Sequence, residues 1–369
     1  MESTRKVLTN SALSCFKCCR KKYFWSYVCG IRPEYDGKTL RMGSAYHEGL
    51  DLLRTTNDLD TALTAVRAEY EFCPENFDQR EWEVERETVV ALVNGYHWRW
   101  GDTLKVKASE MPFRIRLRNP ATESPSTVFD LGGKIDGIVE MENCNIDAEL
   151  ESKTVSEDIS FESGYWQRLQ LDLQPTIYLI GARELGFNLH TVLWDATRKP
   201  TIKPSAVAVC DDLGAKIVLD AQGQRVRTEK GQWRQTGDTA KGYVLQQRDM
   251  TPEEWSKKLT SDIGERPEFY YQRREIPRLD SEIAECRAEL WELQQTIRTA
   301  ENENKWYRTV SFSTCPNCCY FGLCSSKYNP ADPLPSGMIL VTNVNPELQE
   351  KSNAPTTAAA EIAANESYW

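Results

Sequence analysis

The spacing of apolar positions changes near residue 105, and that change divides the chain. Residues 9–29 carry apolar and aromatic side chains at helical spacing until Gly30 and Pro33 stop them. A second helix is expected from near Gly43, carrying Tyr46, His47, Leu50 and Leu53; segments 58–72 and 80–100 read the same way. The period then drops to two. Segments 110–118 (EMPFRIRLR), 127–140 (TVFDLGGKIDGIVE) and 145–153 (NIDAELESK) predict three successive strands. A helix is expected over 164–185 and a strand over 189–195. In 198–248, short β-prone pieces separated by Gly, Gln and Asp predict a hairpin-like insertion; no internal repeat is found anywhere in the chain. A helix over 252–263, an extended piece (EFYYQRREI), a long charged helix over 279–306 and a cysteine-rich loop at 315–324 follow. From about 345 the composition turns to Asn, Ala, Glu, Ser and Thr, which predicts disorder.

This pattern describes one α/β domain over 1–344: a mainly helical part to 104, a mixed core over 105–197, a β-rich insertion over 198–275, and a long helix with its cysteine loop over 276–325. Residues 345–369 form the tail. With 369 residues, 40% of them hydrophobic, the chain has ample material for a core. Mean hydropathy is −0.56, and no apolar run approaches the roughly 18 residues of a membrane-spanning helix. The N-terminal segment lacks the apolar core of an export signal, so a cytoplasmic protein is expected.

Charge complicates the picture. Forty-five Lys and Arg against 55 Asp and Glu give a net charge of −10, so there is no overall basic footprint for nucleic acid. Basic residues are nevertheless concentrated at Arg20, Lys21, Lys22, Arg32, Lys38 and Arg41, interleaved with aromatics. Such a patch suits backbone phosphate and stacked bases. Acidic residues crowd into 69–87 and 279–306. Twelve cysteines without an export signal suggest a metal or cluster site more than disulfides.

The strand over 146–153 carries the candidate chemistry. Ile146, Ala148 and Leu150 share one face; Asp147, Glu149, Glu151 and Lys153 share the other. A hairpin with the preceding strand would bring Asp136 near Glu151. Two close carboxylates call for a cation between them, and a divalent metal with oxygen ligands fits. Lys153 would stand beside it as a point charge for a phosphoryl oxyanion or a water.

Asp136 followed by Glu151-Ser152-Lys153 resembles the core of the PD-(D/E)XK nucleases, and more narrowly their RecB-like exonuclease branch. That branch has a Gly-x-x-x-His-x-x-Leu helix, matched by Gly43, His47 and Leu50. It also has a Gln-x-x-x-Tyr pair, matched by Gln174 and Tyr178. Gln167, Gln170, Gln174 and Tyr178 step along one helix face, although Pro175 should kink or restart the helix there. The resemblance implies a restriction-endonuclease-like core, a central mixed sheet flanked by helices. It also implies Mg²⁺ or Mn²⁺ held by His47, Asp136, Glu151 and the Ser152 carbonyl, with Lys153, Gln174 and Tyr178 completing the catalytic set. Glu149 is the rival carboxylate; Glu151 has the two-residue spacing to Lys153.

Cys315, Cys318 and Cys324 give C-x2-C-x5-C. Iron–sulfur members of the family add a fourth ligand from an N-terminal Cys-Pro-Arg-Arg-Phe-Tyr-Tyr-like motif. Here that is Cys19, with Cys15 and Cys18 as alternatives, and Cys319 as a substitute for Cys318. The implied group is a [4Fe–4S] cluster, with zinc as the rival. Closing so large a loop restrains the unfolded chain by about 5 kcal/mol on an entropy model. The activity implied is a metal-dependent DNA exonuclease of recombination, repair or phage DNA processing, acting on single-stranded ends or linear duplex. A recombination protein as partner and a homo-oligomer are both open. No GxxxxGK[ST] motif is present, so ATP-driven unwinding is not encoded. A non-cutting DNA-binding or assembly module of the same fold and a zinc-stapled structural protein are the other readings.

Overall fold

The alternating segments between 105 and 155 build the centre of the molecule, and the helical segments pack around it. The computed structural model describes residues 5–101, 103–141 and 146–348. In chain order the elements are β1 (Lys6–Leu8), α1 (Asn10–Cys18), α2 (Arg20–Tyr23) leading into a π-helical turn (Phe24–Val28), β2 (Ile31–Pro33), α3 (Lys38–Thr56), α4 (Leu59–Ala68) and α5 (Gln79–Trp100). Next come β3 (Lys105–Arg118), β4 (Pro125–Met141), β5 (Ile146–Val155), α6 (Gly164–Leu169), α7 (Leu173–Glu184) and β6 (Thr191–Arg198). The insertion holds β7 (Ala206–Ala208), β8 (Val218–Leu219), β9 (Val244–Leu245) and β10 (Gln247–Asp249). The chain continues through α8 (Pro252–Glu265), α9 (Pro267–Tyr270), β11 (Tyr271–Pro277), α10 (Asp280–Glu303), α11 (Phe321–Ser325) and β12 (Met338–Leu340).

Six strands form one mixed sheet in the order β1-β4-β5-β6-β11, with β3 on the other edge of β4. β5 and β6 are parallel, as are β1 and β4; the remaining pairs are antiparallel. One edge of β4 is shared. β1 pairs with residues 129–131 and β5 with residues 137–141. Between them β5 leaves β4 to follow β6, which opens a fork at residues 132–136. At this fork the Ser152 N–H donates to the Asp136 carboxylate at 2.8 Å instead of to a strand carbonyl.

Helices flank the sheet in two groups. α1, α6, α7 and α10 share a core with Phe113, Phe129, Ile135 and Trp194 of the strands. α3, α4, α5 and α8 build a second core around Leu50, Val66, Val89, Leu259 and Tyr271. A smaller cluster joins Trp25 and Ile31 to Tyr320 and Leu323. There β12 pairs with β2, and the Tyr320 hydroxyl donates to the Ile31 carbonyl at 2.8 Å. Opposite ends of the described chain thus meet. Among the described residues, no helix is long and apolar enough to cross a membrane.

Several expectations are refined. The helix over 9–29 is interrupted because Cys19 is extended (φ −162°, ψ 117°). The helix over 164–185 is two helices: Asp172 caps α7, its carboxylate accepting from the Gln174 N–H, and Pro175 falls in the first turn, where its missing N–H costs nothing. The break separates Gln167 and Gln170, both exposed, from Gln174 and Tyr178, so the expected continuous stripe does not form. The insertion does contain a short repeat. Turns at Asp211–Gly214, Asp220–Gly223 and Thr228–Gly231 share one pattern, each closed by the glycine N–H donating back to the first carbonyl. Each glycine has φ between +76° and +79°, the left-handed region that favours glycine. The spacing shifts from nine to eight and only the turn glycine recurs in all three, which hides the repeat in the sequence. Pro346–Leu348 form a 3₁₀ turn, so the tail is ordered to that point; the rest of it lies outside the described residues.

Candidate active site

Four elements bring side chains to the fork. β4 supplies Asp136, β5 supplies Glu151 and Lys153, α3 supplies His47, and α7 supplies Gln174 and Tyr178. Antiparallel continuation of Gly137↔Leu150 sets Asp136 opposite Glu151, as the hairpin argument requires. His47 Nδ1 lies 3.4 Å from Asp136 Oδ2. Burial lowers the His47 pKa against the pull of Asp136, so the neutral ring keeps a lone pair for a metal.

Glu151 is buried; its Oε1 accepts from Gln174 Nε2 at 2.5 Å and pairs with Lys153 Nζ at 2.5 Å. Burial first, then Asp136, pushes its carboxyl up to about 8. Burial opposes the Lys153 charge, but Glu151, Tyr178 and Asp136 outweigh it and hold the ammonium above its ordinary value. Tyr178 lines the cleft and stands edge-on to Phe113, 6.1 Å between centroids. Glu149 is 0% exposed, and burial followed by Glu151 and Asp136 raises its pKa well above normal.

Sequence reasoning missed Glu110. Ligand atoms of His47, Glu110 and Asp136 all lie within 4.8 Å of one another, the one such group among the described residues. Glu110 sits on β3 at φ +51° and is ion-paired to Lys134. Its only signal was its place at the start of the EMPFRIRLR alternation, which carries no motif. Also missed was a polar network beside Ser152. Arg54 donates to Ser152 Oγ at 2.5 Å, and Tyr96 donates to Asp195, which Arg273 grips through two nitrogens.

The residues fit a divalent cation. Both Glu149 oxygens and Glu151 Oε2 are buried without a hydrogen-bond partner, and both carboxyls feel the charge of Asp136, although Glu151, an expected ligand, is not part of the converging His47, Glu110 and Asp136 group. Buried carboxylates are costly unless paired or bound to metal. A cleft of about 950 Å³ opens over these residues, lined among others by His47, Asp136, Lys153 and Tyr178. Glu69, from the acidic stretch 69–87, is on its wall.

A second pocket of about 220 Å³ is lined by Cys19, Cys315, Cys318 and Cys324, with Lys22, Thr309, Tyr320 and others. Cys15, Cys18 and Cys319 are not part of its lining. The Thr309 N–H donates to Cys19 Sγ at 3.4 Å. A hydrogen bond with Cys319, the Tyr320 N–H and Lys22 bring the Cys318 thiol down to about 6 against its burial, which favours the thiolate a metal needs. Tetrahedral zinc draws its sulfurs to about 3.8 Å of one another. These cysteines are not among the groups whose ligand atoms already converge within 4.8 Å of one another in the described residues.

A family model for the PD-(D/E)XK nuclease superfamily matches residues 7–325. The chain belongs to this superfamily. The matched span takes in the fork, all four pocket cysteines and every lining residue of the cleft except Glu347. Comparison with curated proteins gives no match. PD-(D/E)XK membership brings metal-dependent nuclease chemistry with DNA as the substrate class, and the mixed sheet flanked by helices is the fold expected of it.

Proposed function

We propose that the protein is an exonuclease of the RecB-like branch, hydrolysing phosphodiester bonds at DNA ends with Mg²⁺ or Mn²⁺. The observation that carries this reading is the meeting of Asp136, His47 and the Glu151–Lys153 pair at one sheet fork under an open cleft. His47, Asp136, Glu151 and the Ser152 carbonyl would hold the cation, with Glu110 as a further oxygen donor. When bound, the metal supplies Lewis acidity and a nucleophilic water near neutral pH.

The chain's own residues do the rest. The Ser152 N–H fixes the Asp136 carboxylate. Gln174 orients Glu151, and Lys153 places a full positive charge where phosphoryl oxygens gain negative charge. At the second pocket, Cys19, Cys315, Cys318 and Cys324 would hold a [4Fe–4S] cluster, joining parts of the chain that β2, β12 and Tyr320 already bring together. Recombination, repair or phage DNA processing, in a reducing cytoplasm, is the setting this chemistry suits.

The test is cleavage of end-labelled linear DNA, single-stranded and duplex, beside a closed circle, with Mg²⁺ or Mn²⁺. Loss of the linear substrates alone, abolished by Lys153→Ala, is expected. Cutting of the circle would replace the exonuclease with an endonuclease. No cutting by iron-loaded protein on any substrate would favour a non-cutting DNA-binding module.

A further inference from the structure

Six basic residues cluster near the N-terminus, and the fold gives them different fates. Arg20 stacks on Phe16 and Tyr307, 5.0 and 4.5 Å from their centroids. Lys21 sits 4.2 Å over Phe24 and 4.3 Å over Trp25. Arg32 stacks on Tyr27 and donates to the Val344 carbonyl at 2.9 Å. Arg41 forms a two-pronged pair with buried Glu85 at 2.7 and 2.8 Å. Lys22 and Lys38 are left. Neither makes an ion pair among the described residues, and both line the cleft that holds His47, Asp136 and Lys153.

The same cleft is lined by Asn317, which with Pro316 forms the exposed pair between Cys315 and Cys318. Lys22 also lines the cysteine pocket. The cysteine loop and the segment after Cys19 are therefore a common wall between the two cavities. A cation without a carboxylate partner and a neutral amide on the wall of a metal-centred cleft match a phosphate and the polar edge of a nucleotide.

We propose that Lys22 and Asn317 grip the DNA strand beside the metal site, Lys22 at a backbone phosphate and Asn317 at the same or the adjacent nucleotide, with Lys38 on the rim. This rests on the nuclease reading and adds to it a substrate-holding role for the cysteine-bearing wall. Filling the cysteine pocket then shapes the substrate cleft as well as stapling the fold.

The experiment follows fluorescence anisotropy of a labelled single-stranded oligothymidylate, in a Lys153→Ala background so that the probe survives, over a series of KCl concentrations. Lys22→Gln should weaken binding about threefold or more at low salt and lower the slope of log affinity against log salt by about 0.7, one phosphate contact on a single strand. Lys22→Arg should restore both. Asn317→Ala should weaken binding and leave the slope unchanged. Iron content, measured on each variant, should match the parent. If Lys22→Gln loses iron, Lys22→Arg and Asn317→Ala decide between grip and structure. Unchanged affinity and slope in an iron-replete Lys22→Gln protein, while the parent enzyme cuts DNA, would overturn the grip and leave the nuclease standing. A parent that neither cuts nor binds DNA would remove both.

Discussion

In the metal-free protein, the contribution of Glu151 to stability should fall as pH rises from about 4.5 to about 8. Its side chain is 1% exposed, one carboxylate oxygen has no partner, and Asp136 stands opposite. These features raise its pKa from 4.5 to about 8. Below pH 4.5 the group is protonated in both folded and unfolded chains, and the native state loses nothing. Between 4.5 and 8 the unfolded chain has released a proton the native state still holds, so each added pH unit favours unfolding. At about 1.36 kcal/mol per unit, the full shift amounts to about 5 kcal/mol at most, comparable with the whole stability of many domains. His47 and Cys318 are shifted downward and titrate with the opposite sign, so the informative comparison is wild type against Glu151→Gln at each pH. Urea unfolding in chelator at about pH 5 and about pH 8 reads it. Glu151→Gln should gain stability over wild type at the higher pH and little at the lower; saturating Mg²⁺ should rescue wild type more than the variant. A variant equally stable relative to wild type at both pH values would refute the reasoning.

Other consequences follow from single contacts. Glu110→Gln should raise the Mn²⁺ concentration for half-maximal cleavage about tenfold, with turnover at saturating metal largely kept, as a metal titration of activity would show. Cys19→Ser and Cys315→Ser should abolish bound iron, whereas Cys15→Ser, Cys18→Ser and Cys319→Ser should retain it in anaerobic iron and sulfide assays, because only the first two line the pocket. Gly181→Ala should destabilise by about 1–3 kcal/mol in thermal unfolding, although Ala is worth about 1 kcal/mol over Gly inside a helix. The added Cβ would lie 2.7 Å from three Phe113 ring carbons.

Legibility in the sequence followed the physics of each feature. β3, β4 and β5 were readable because alternation reports a half-buried strand locally, and the Asp136–Glu151 meeting followed from hairpin arithmetic. Helical period exposed α3, α5 and α10 in the same way. β1 and β2 were not readable, since three-residue strands take their pairing from a distant partner. Glu110 reaches the site through a left-handed backbone residue on a strand, which no spacing rule anticipates. Arg54, Tyr96, Asp195 and Arg273 come from four separate elements, so nothing in sequence order links them. The cysteines lie between these cases. Their spacing marked the loop, but the choice of Cys19 over Cys15 and Cys18 as the pocket-lining residue depends on the extended backbone at Cys19 that breaks the helix.

The acidic balance of the chain, at first sight unsuited to DNA, becomes intelligible at the cleft itself. Its walls carry Lys22, Lys38, Lys134 and Lys153 against Glu48, Glu69, Glu110, Asp136 and Glu347, while His47 is neutral. These lysines alone leave the cleft about one charge negative, and the buried carboxyls of Glu149 and Glu151 below it make the field more so as they ionise. At an effective dielectric near 20, two unit charges 4 Å apart interact by about 4 kcal/mol, so a phosphate entering this cleft meets a real barrier. A divalent cation reverses the sign of the cleft with two charges placed where the carboxylates converge. Lys22 and Lys38 can then hold a backbone that the carboxylates would otherwise repel. On the proposed reading, metal dependence would then extend to substrate binding as well as to bond cleavage.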